Sequence, residues 1–334
     1  MKTNIVLSLA TTALIAGLAI ACNKSNSTAG NSGTSSSPNT SPAQVQTQAD
    51  DETQVNNEMD AAADDVNNAL NASTAFSGTT STGVTTDGYD IDGAGGIKID
   101  ITICDATVTT DTANGLRQIV ITYNGANCRG NRTRTGVIVI SIPVGTRWKD
   151  TGAVVTVDFQ NLKITRVRDG KSITLNGTYT YTNVSGGLLK DLATLGTITH
   201  TISADSVSIE FADSATRVWS VAKQRVFTYN DGVLITTTGT HSDGTNTNVS
   251  VWGTNRYGNS FETLIIQPKV IAQSCDYQLT SGETETIRPA VTTTITYGLD
   301  SDGNPTGCPV NGGYYYYKET WTLNGKTYTW IAPY

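Results

Sequence analysis

The chain has 334 residues, with 22 Lys and Arg against 29 Asp and Glu, a formal charge of −7. An acidic surface repels phosphate backbones and gains little from anionic lipid, so neither nucleic acid nor a basic-patch membrane contact is expected. Charged residues make up only 15% and apolar ones 37%, which is a composition that builds a core and not a disordered polyelectrolyte.

In chain order, Lys2 supplies a positive start and Ile5 to Ile20 an apolar stretch with small residues. The stretch is short and early for a membrane span and has the layout of an export leader. It ends in Leu18-Ala19-Ile20-Ala21-Cys22, which resembles the lipobox of bacterial lipoproteins, with Ala19 where leucine is usual. The resemblance implies that residues 1–21 are removed and that Cys22 is acylated, which suffices for stable membrane attachment. Losing Lys2 with the leader takes the charge from −7 to −8. Residues 23–49 are nearly all Ser, Thr, Asn, Gly, Ala, Pro and Gln. Such a stretch cannot offset its ordering entropy by burial, so residues 22–50 are expected to form a disordered tether.

Residues 51–72 change character. Val55, Met59, Ala62, Val66, Ala69 and Leu70 recur at helical spacing, and Asp51 and Glu52 suit a helix N-terminus. Glu58, Asp60, Asp64 and Asp65 fall off that stripe. The expectation is one amphipathic helix, docked by a thin apolar stripe with its acids in water. A membrane-surface helix would carry lysines there instead.

Residues 73–334 read as one all-β domain. Thr, Val, Ile and Tyr alternate, and turn dipeptides cut the runs. Val137 to Ile142 and Val154 to Phe159 are strands. Asp169-Gly170, Asp231-Gly232 and Asn324-Gly325 are two-residue hairpin signals, because the glycine supplies the positive φ of a type I′ turn. Repeated hairpins predict an antiparallel meander forming a sandwich, curled sheet or open barrel. Alternate threonines suggest one face in water, and the runs look too short and polar for a transmembrane barrel.

Four cysteines remain after Cys22. In an oxidising compartment, an even number predicts two disulfides. Of three pairings, Cys104 with Cys128 and Cys275 with Cys308 are closest in sequence, each worth about 3 kcal/mol by loop closure. Zinc would want CxxC spacing or histidines nearby, and His200 and His241 are isolated. Gly170-Lys171-Ser172 and Gly325-Lys326-Thr327 lack the upstream glycine of a phosphate loop and fall in hairpins. Ser220-Val221-Ala222-Lys223 matches SxxK, but in a strand-like context and with only approximate companions, Ser242-Asp243-Gly244 and Lys326-Thr327-Tyr328. No Gly-x-Ser-x-Gly elbow is present. Glu210, Glu262, Glu283, Glu285 and Glu319 are carboxylates by residue type alone, read as solvated acids. No catalytic residue is assigned, and no cofactor is required.

Two acidic loops offer oxygen ligands around a turning glycine, as calcium requires: Asp87 to Gly93, and Asp300, Asp302 and Asn304. Asp and Gly are also ordinary turn residues, and neither loop completes an EF-hand. Near the C-terminus, Tyr315, Tyr317, Trp321 and Trp330 follow strand spacing. They either fill a core or form a stacking platform for sugars, and the core is the commoner use. Asp111-Thr112-Ala113, Asp205-Ser206-Val207 and Asp213-Ser214-Ala215 resemble a short O-glycosylation motif of Bacteroidota envelope proteins.

Taken in order, the acidic helix with Asp64-Asp65-Val66, a cysteine loop before Arg134-Thr135-Gly136, the run Gly-Thr-Tyr-Thr-Tyr-Thr-Asn at 177–183, the segment Cys275 to Gly282, and Tyr297-Gly298 before Cys308 resemble a group of Bacteroidota outer-membrane lipoproteins. The likeness spans roughly residues 50–330. It departs at Leu299–Thr306, which lengthens the run before Cys308. The resemblance brings no activity and no catalytic residue. The leading expectation is a non-catalytic, lipid-anchored envelope protein whose β domain binds or scaffolds a partner, with a cell-wall glycan, an extracellular glycan or an envelope protein as the candidates. The alternatives are an adhesive glycan-binding module built on the C-terminal aromatics, and a hydrolase whose site is assembled only in space. Asn23 lacks the Asp of an inner-membrane retention signal, so the outer membrane is expected, on either its periplasmic or its external face.

Overall fold

A computed structural model describes residues 41–77, 90–92, 98–100, 103–310 and 313–334. Helix α1, Pro42–Ala72, opens on a capping box. The Ser41 hydroxyl accepts the Gln44 amide, and the Gln44 side chain accepts the Ser41 amide. Pro42 at the first helical position needs no donor there. The helix therefore begins nine residues before the expected Asp51, and the end of the expected tether is its first two turns. A one-turn helix α2, Thr74–Ser77, follows.

A two-stranded ribbon pairs β1, Asp90–Asp92, with β2, Lys98–Asp100. Apart from short helical turns over 189–195 and at Gln273–Cys275, the other described elements form one 14-stranded antiparallel sheet. Its strands are β3 Ala106–Ala113, β4 Leu116–Ala126, β5 Arg132–Pro143, β6 Ala153–Arg166, β7 Ser172–Asn183, β8 Thr197–Phe211 and β9 Thr216–Tyr229. They continue as β10 Val233–Gly239, β11 Val249–Thr254, β12 Ser260–Ala272, β13 Gln278–Arg288, β14 Val291–Leu299, β15 Tyr316–Leu323 and β16 Lys326–Pro333. Each strand pairs with its neighbours in sequence, except that β10 and β11 share one place between β9 and β12. The three anticipated hairpins join β6 to β7, β9 to β10 and β15 to β16, but only the last has a two-residue turn: Asp169-Gly170 lies in a five-residue loop, 167–171, and Asp231-Gly232 in a three-residue loop, 230–232. At the last, Asn324 and Gly325 take φ of 53° and 75°, as a type I′ turn requires. Strands such as β8, with 15 residues, are longer than the alternation suggested, because the runs continue across bulges.

Those bulges set the curvature. Register slips fall at Thr135/Val137, Phe159/Leu162, Asn176/Tyr179 and Ala204/Val207, one in each successive strand pair from β5 to β9. An extra residue bends its strand and raises the local twist, so a row of bulges curls the sheet. Gly136 lies where Asn161 bulges, and a Cβ there would stand 2.3 Å from the Asn161 carbonyl oxygen. Only glycine permits that approach.

The curled sheet surrounds α1. Every residue from Gln48 to Asn56 is buried. Successive side chains turn by about 100°, so nine in a row leave no azimuth facing water. Val45 packs with Val291 and Trp321 at one end. Val55, Val66 and Leu70 join strands β4 to β9 and Phe76 at the other. The anticipated thin stripe with solvated acids is thus corrected: the helix is the centre of the core.

Candidate functional site

The acids of α1 are paired, side by side, with cations of the concave sheet face. Asp50 receives a two-pronged contact from Arg166, at 3.0 and 2.9 Å, and Lys171 at 2.8 Å. Asp51 takes the fork of Arg256 at 2.6 and 2.7 Å. Glu52 accepts the Thr286 hydroxyl at 2.6 Å and lies 3.5 Å from Arg217. Glu58 pairs with Arg132, and Asp60 lies between Lys269 and Lys223. Asp64 accepts Arg225 at 2.6 Å. Asp65 accepts Arg134 at 2.7 Å and the Tyr123 hydroxyl at 2.8 Å, while Arg134 also forks onto Asp105. Forked, charge-assisted contacts of this kind hold geometry as well as charge.

These cations sit where the alternation of the strands places core residues. On β9, Arg217, Lys223 and Arg225 share the inward face with Trp219, Val221 and Phe227. Arg217 is 2% exposed, and its guanidinium lies 3.9 Å from the centre of the Phe261 ring, a cation–π contact that offsets incomplete hydrogen bonding. That phase is the signal sequence reasoning passed over. A second signal is segregation: α1 carries seven acids between Asp50 and Asp65 and no Lys or Arg.

Burial and pairing compete in the titration of these groups. Burial raises the Asp60 carboxyl, but Lys223, Lys269 and Arg225 more than offset it and hold the group below the usual carboxylate range. Burial lifts Asp51 to about 6 against the pull of Arg256, and Asp64 to about 6 against Arg225. Lys223 is pushed down to about 8 by burial, which Asp60 only partly counters.

The anticipated site residues fall out as follows. Cys22 and most of the Asp87–Gly93 loop lie outside the described residues. Cys104 joins Cys128, and Cys275 joins Cys308, the pairing expected. Asp300 Oδ1 accepts the amides of Asp302 and Asn304, each at 2.9 Å, closing a turn on itself. Those amides, that of Asn304 foremost, hold the Asp300 carboxyl below its ordinary range. Among the described residues, no three His, Cys, Asp or Glu side chains converge as a metal site. Tyr315, Tyr317 and Trp321 are 1%, 0% and 2% exposed, so they are core and not a platform. Trp330 is half-buried, its ring edge-on to Tyr317.

Ser220 and Lys223 point to opposite faces of β9, the serine accepting the Ser206 amide outside and the lysine meeting Asn56 and Asp60 inside. That separates the SxxK pair. His200 is buried between Trp148 and Phe227, and His241 stacks on Trp252 at 4.0 Å. Glu319, read as a solvated acid, is fully buried with neither oxygen hydrogen-bonded.

One shallow cleft of about 100 Å³, open to solvent, lies over the middle of α1. Asn57, Asp60, Ala61 and Asp64 form its floor. Asn127, Arg129, Asn131 and Arg132 of the β4–β5 corner make one wall. Ile271, Tyr277, Gln278, Leu279 and Tyr334 make the other. Arg129 follows Cys128 and Tyr277 follows Cys275 by two residues, so each wall is tied to one disulfide. Compared with known proteins, the chain matches no family model, no curated protein and no solved structure.

Proposed function

We propose that the protein is a lipid-anchored component of the bacterial outer membrane whose β domain binds or scaffolds a partner without catalysing a reaction. The leader and lipobox ending in Cys22 support the anchor. The two joined cysteine pairs fit an oxidising compartment outside the cytoplasm. One observation carries the non-catalytic reading: the concave face, where a sheet of this kind would hold a substrate, is filled by α1. Seven carboxylates of that helix are engaged by sheet cations or hydroxyls and serve the packing. What remains for a partner is the outer surface and the cleft beside Arg129.

Palmitate labelling and intact-mass measurement test the anchor. The mature chain is expected to begin at an acylated Cys22 and to pellet with outer membranes, and Cys22→Ala is expected to release it in soluble form. An unmodified leader in the native protein would falsify the assignment. Protease shaving of intact cells then places the domain on the periplasmic or external face.

A further inference from the structure

We propose that the cleft between the two disulfide-tied corners binds a saccharide bearing a carboxylate, recognised by Arg129, the amides of Asn57, Asn131 and Gln278, and the tyrosine wall. This deepens the binding reading above by naming a site and a ligand class. Four features point there.

Arg129 is exposed, and the lip carboxylate Asp276 acts on it electrostatically without closing to salt-bridge distance, whereas most cations around α1 are paired in contact and an incoming carboxylate could take that place. A planar guanidinium held at a cleft wall is suited to forked recognition of a carboxylate. Asn57 Oδ1, on the floor, is buried without a hydrogen-bond partner. Such an acceptor is costly to leave unmet and is relieved by a ligand hydroxyl.

The lip is built with strain. Asp276 and Tyr277 both take φ of 54°, in the left-handed region. Their amides bond to Gln273 and Ala272, and Cys275 is tied to Cys308. Consecutive non-glycine residues in that region cost energy, and such strain concentrates where a side chain must be aimed. It brings the half-buried ring of Tyr277 to the wall that also holds Tyr334.

The chemistry is mixed in a particular way. Amides that donate and accept suit adjacent ring hydroxyls, and tyrosine rings cover the C–H face of a sugar. Asp60 and Asp64 at the floor are already held by Lys223, Lys269 and Arg225, so they do not oppose an anion as free charges.

The test uses detergent-solubilised full-length protein on an array of uronate-containing glycans and their neutral counterparts, followed by titration of the best pair. The expected result is binding of uronate glycans at least tenfold tighter than that of the neutral forms. Arg129→Gln, at an exposed position, is expected to remove that preference with an unchanged Tm. Asn57→Leu is expected to weaken both classes. Absence of binding across the array, equal binding of the two classes, or a preference that survives Arg129→Gln overturns the proposal. So does competition by free phosphate as strong as by the glycan, which would reduce the cleft to an anion site. Acylation of Cys22 is scored separately, so an anchored protein with an inert cleft refutes this site alone.

Discussion

Glu319 on β15 and His200 on β8 are both sealed in the interior, and they give opposite pH dependences. Burial, aided by Glu52 and opposed by Arg288, pushes the Glu319 carboxyl up to about 8, from 4.5. Between those values the folded chain holds a proton that the unfolded chain has released. Stability from this residue is therefore present at low pH and falls as pH rises from about 4.5 to 8. Glu319→Gln keeps the shape and removes the charge. It is expected to be more stable than the parent by on the order of 2–4 kcal/mol at pH 8 and equal to it at pH 4, as read by urea unfolding at the two pH values. Burial, with Arg225 nearby, pushes the His200 imidazole down to about 3, from 6.5. Here the unfolded chain takes the proton first, so stability falls as pH drops from about 6.5 toward 3. His200→Phe retains the contacts with Trp148 and Phe227 and is expected to flatten that acid limb, with little change at pH 8. Identical acid limbs in parent and variant would contradict the assignment of this histidine as a buried neutral group.

At the scale of elements, the helix and the strands are specified by different signals, and only one of them was fully legible. The hairpins at Asp169-Gly170, Asp231-Gly232 and Asn324-Gly325 are local, because a positive φ is decided by the residue itself. The helix over 51–72 was also visible, but its start was not. Ser41, Pro42 and Gln44 form a capping box inside a Ser-, Thr- and Gln-rich run whose composition argued for disorder. The acids of α1 were assigned to water because an isolated acid is cheaper there. In the fold they meet cations on strands more than 60 residues away, and that partnership has no local trace. Arg134 is the sharpest case, since Asp65 and Asp105 both depend on it. Arg134→Met is expected to cost about 3–5 kcal/mol by leaving two buried carboxylates unpaired. The triple replacement Asp65→Leu, Arg134→Met, Asp105→Leu is expected to recover most of that loss. Thermal unfolding of the three proteins, parent, Arg134→Met and triple variant, checks the pair of outcomes, and a triple variant no better than Arg134→Met alone would count against the ion-pair account.

For the whole molecule, the helix and the sheet form a single cooperative unit, since neither has a satisfied interior without the other. Removing residues 41–77 leaves Arg217, Arg225, Lys223 and Lys269 facing an empty lumen without their carboxylate partners. The truncated chain is expected to show no cooperative unfolding transition, by calorimetry or near-ultraviolet dichroism, whereas the full chain unfolds in one step. A truncated domain that melts sharply would show the sheet to be self-sufficient.

The sequence by itself determined the all-β class, the antiparallel meander, the two disulfides and the presence of one helix before the strands. Those features follow from hydrophobic period, turn chemistry and the parity and spacing of cysteines, each of which acts over a few residues or over a closed loop. Only the tertiary structure decided that the sheet curls around the helix, that the C-terminal tyrosines are core, and that Arg129, Asn57 and Tyr277 share one cleft. Curvature comes from bulges that line up across four successive strand pairs, and charge pairing comes from residues far apart in the chain. Neither can be read until the strands lie side by side, because both depend on which residues the register makes neighbours.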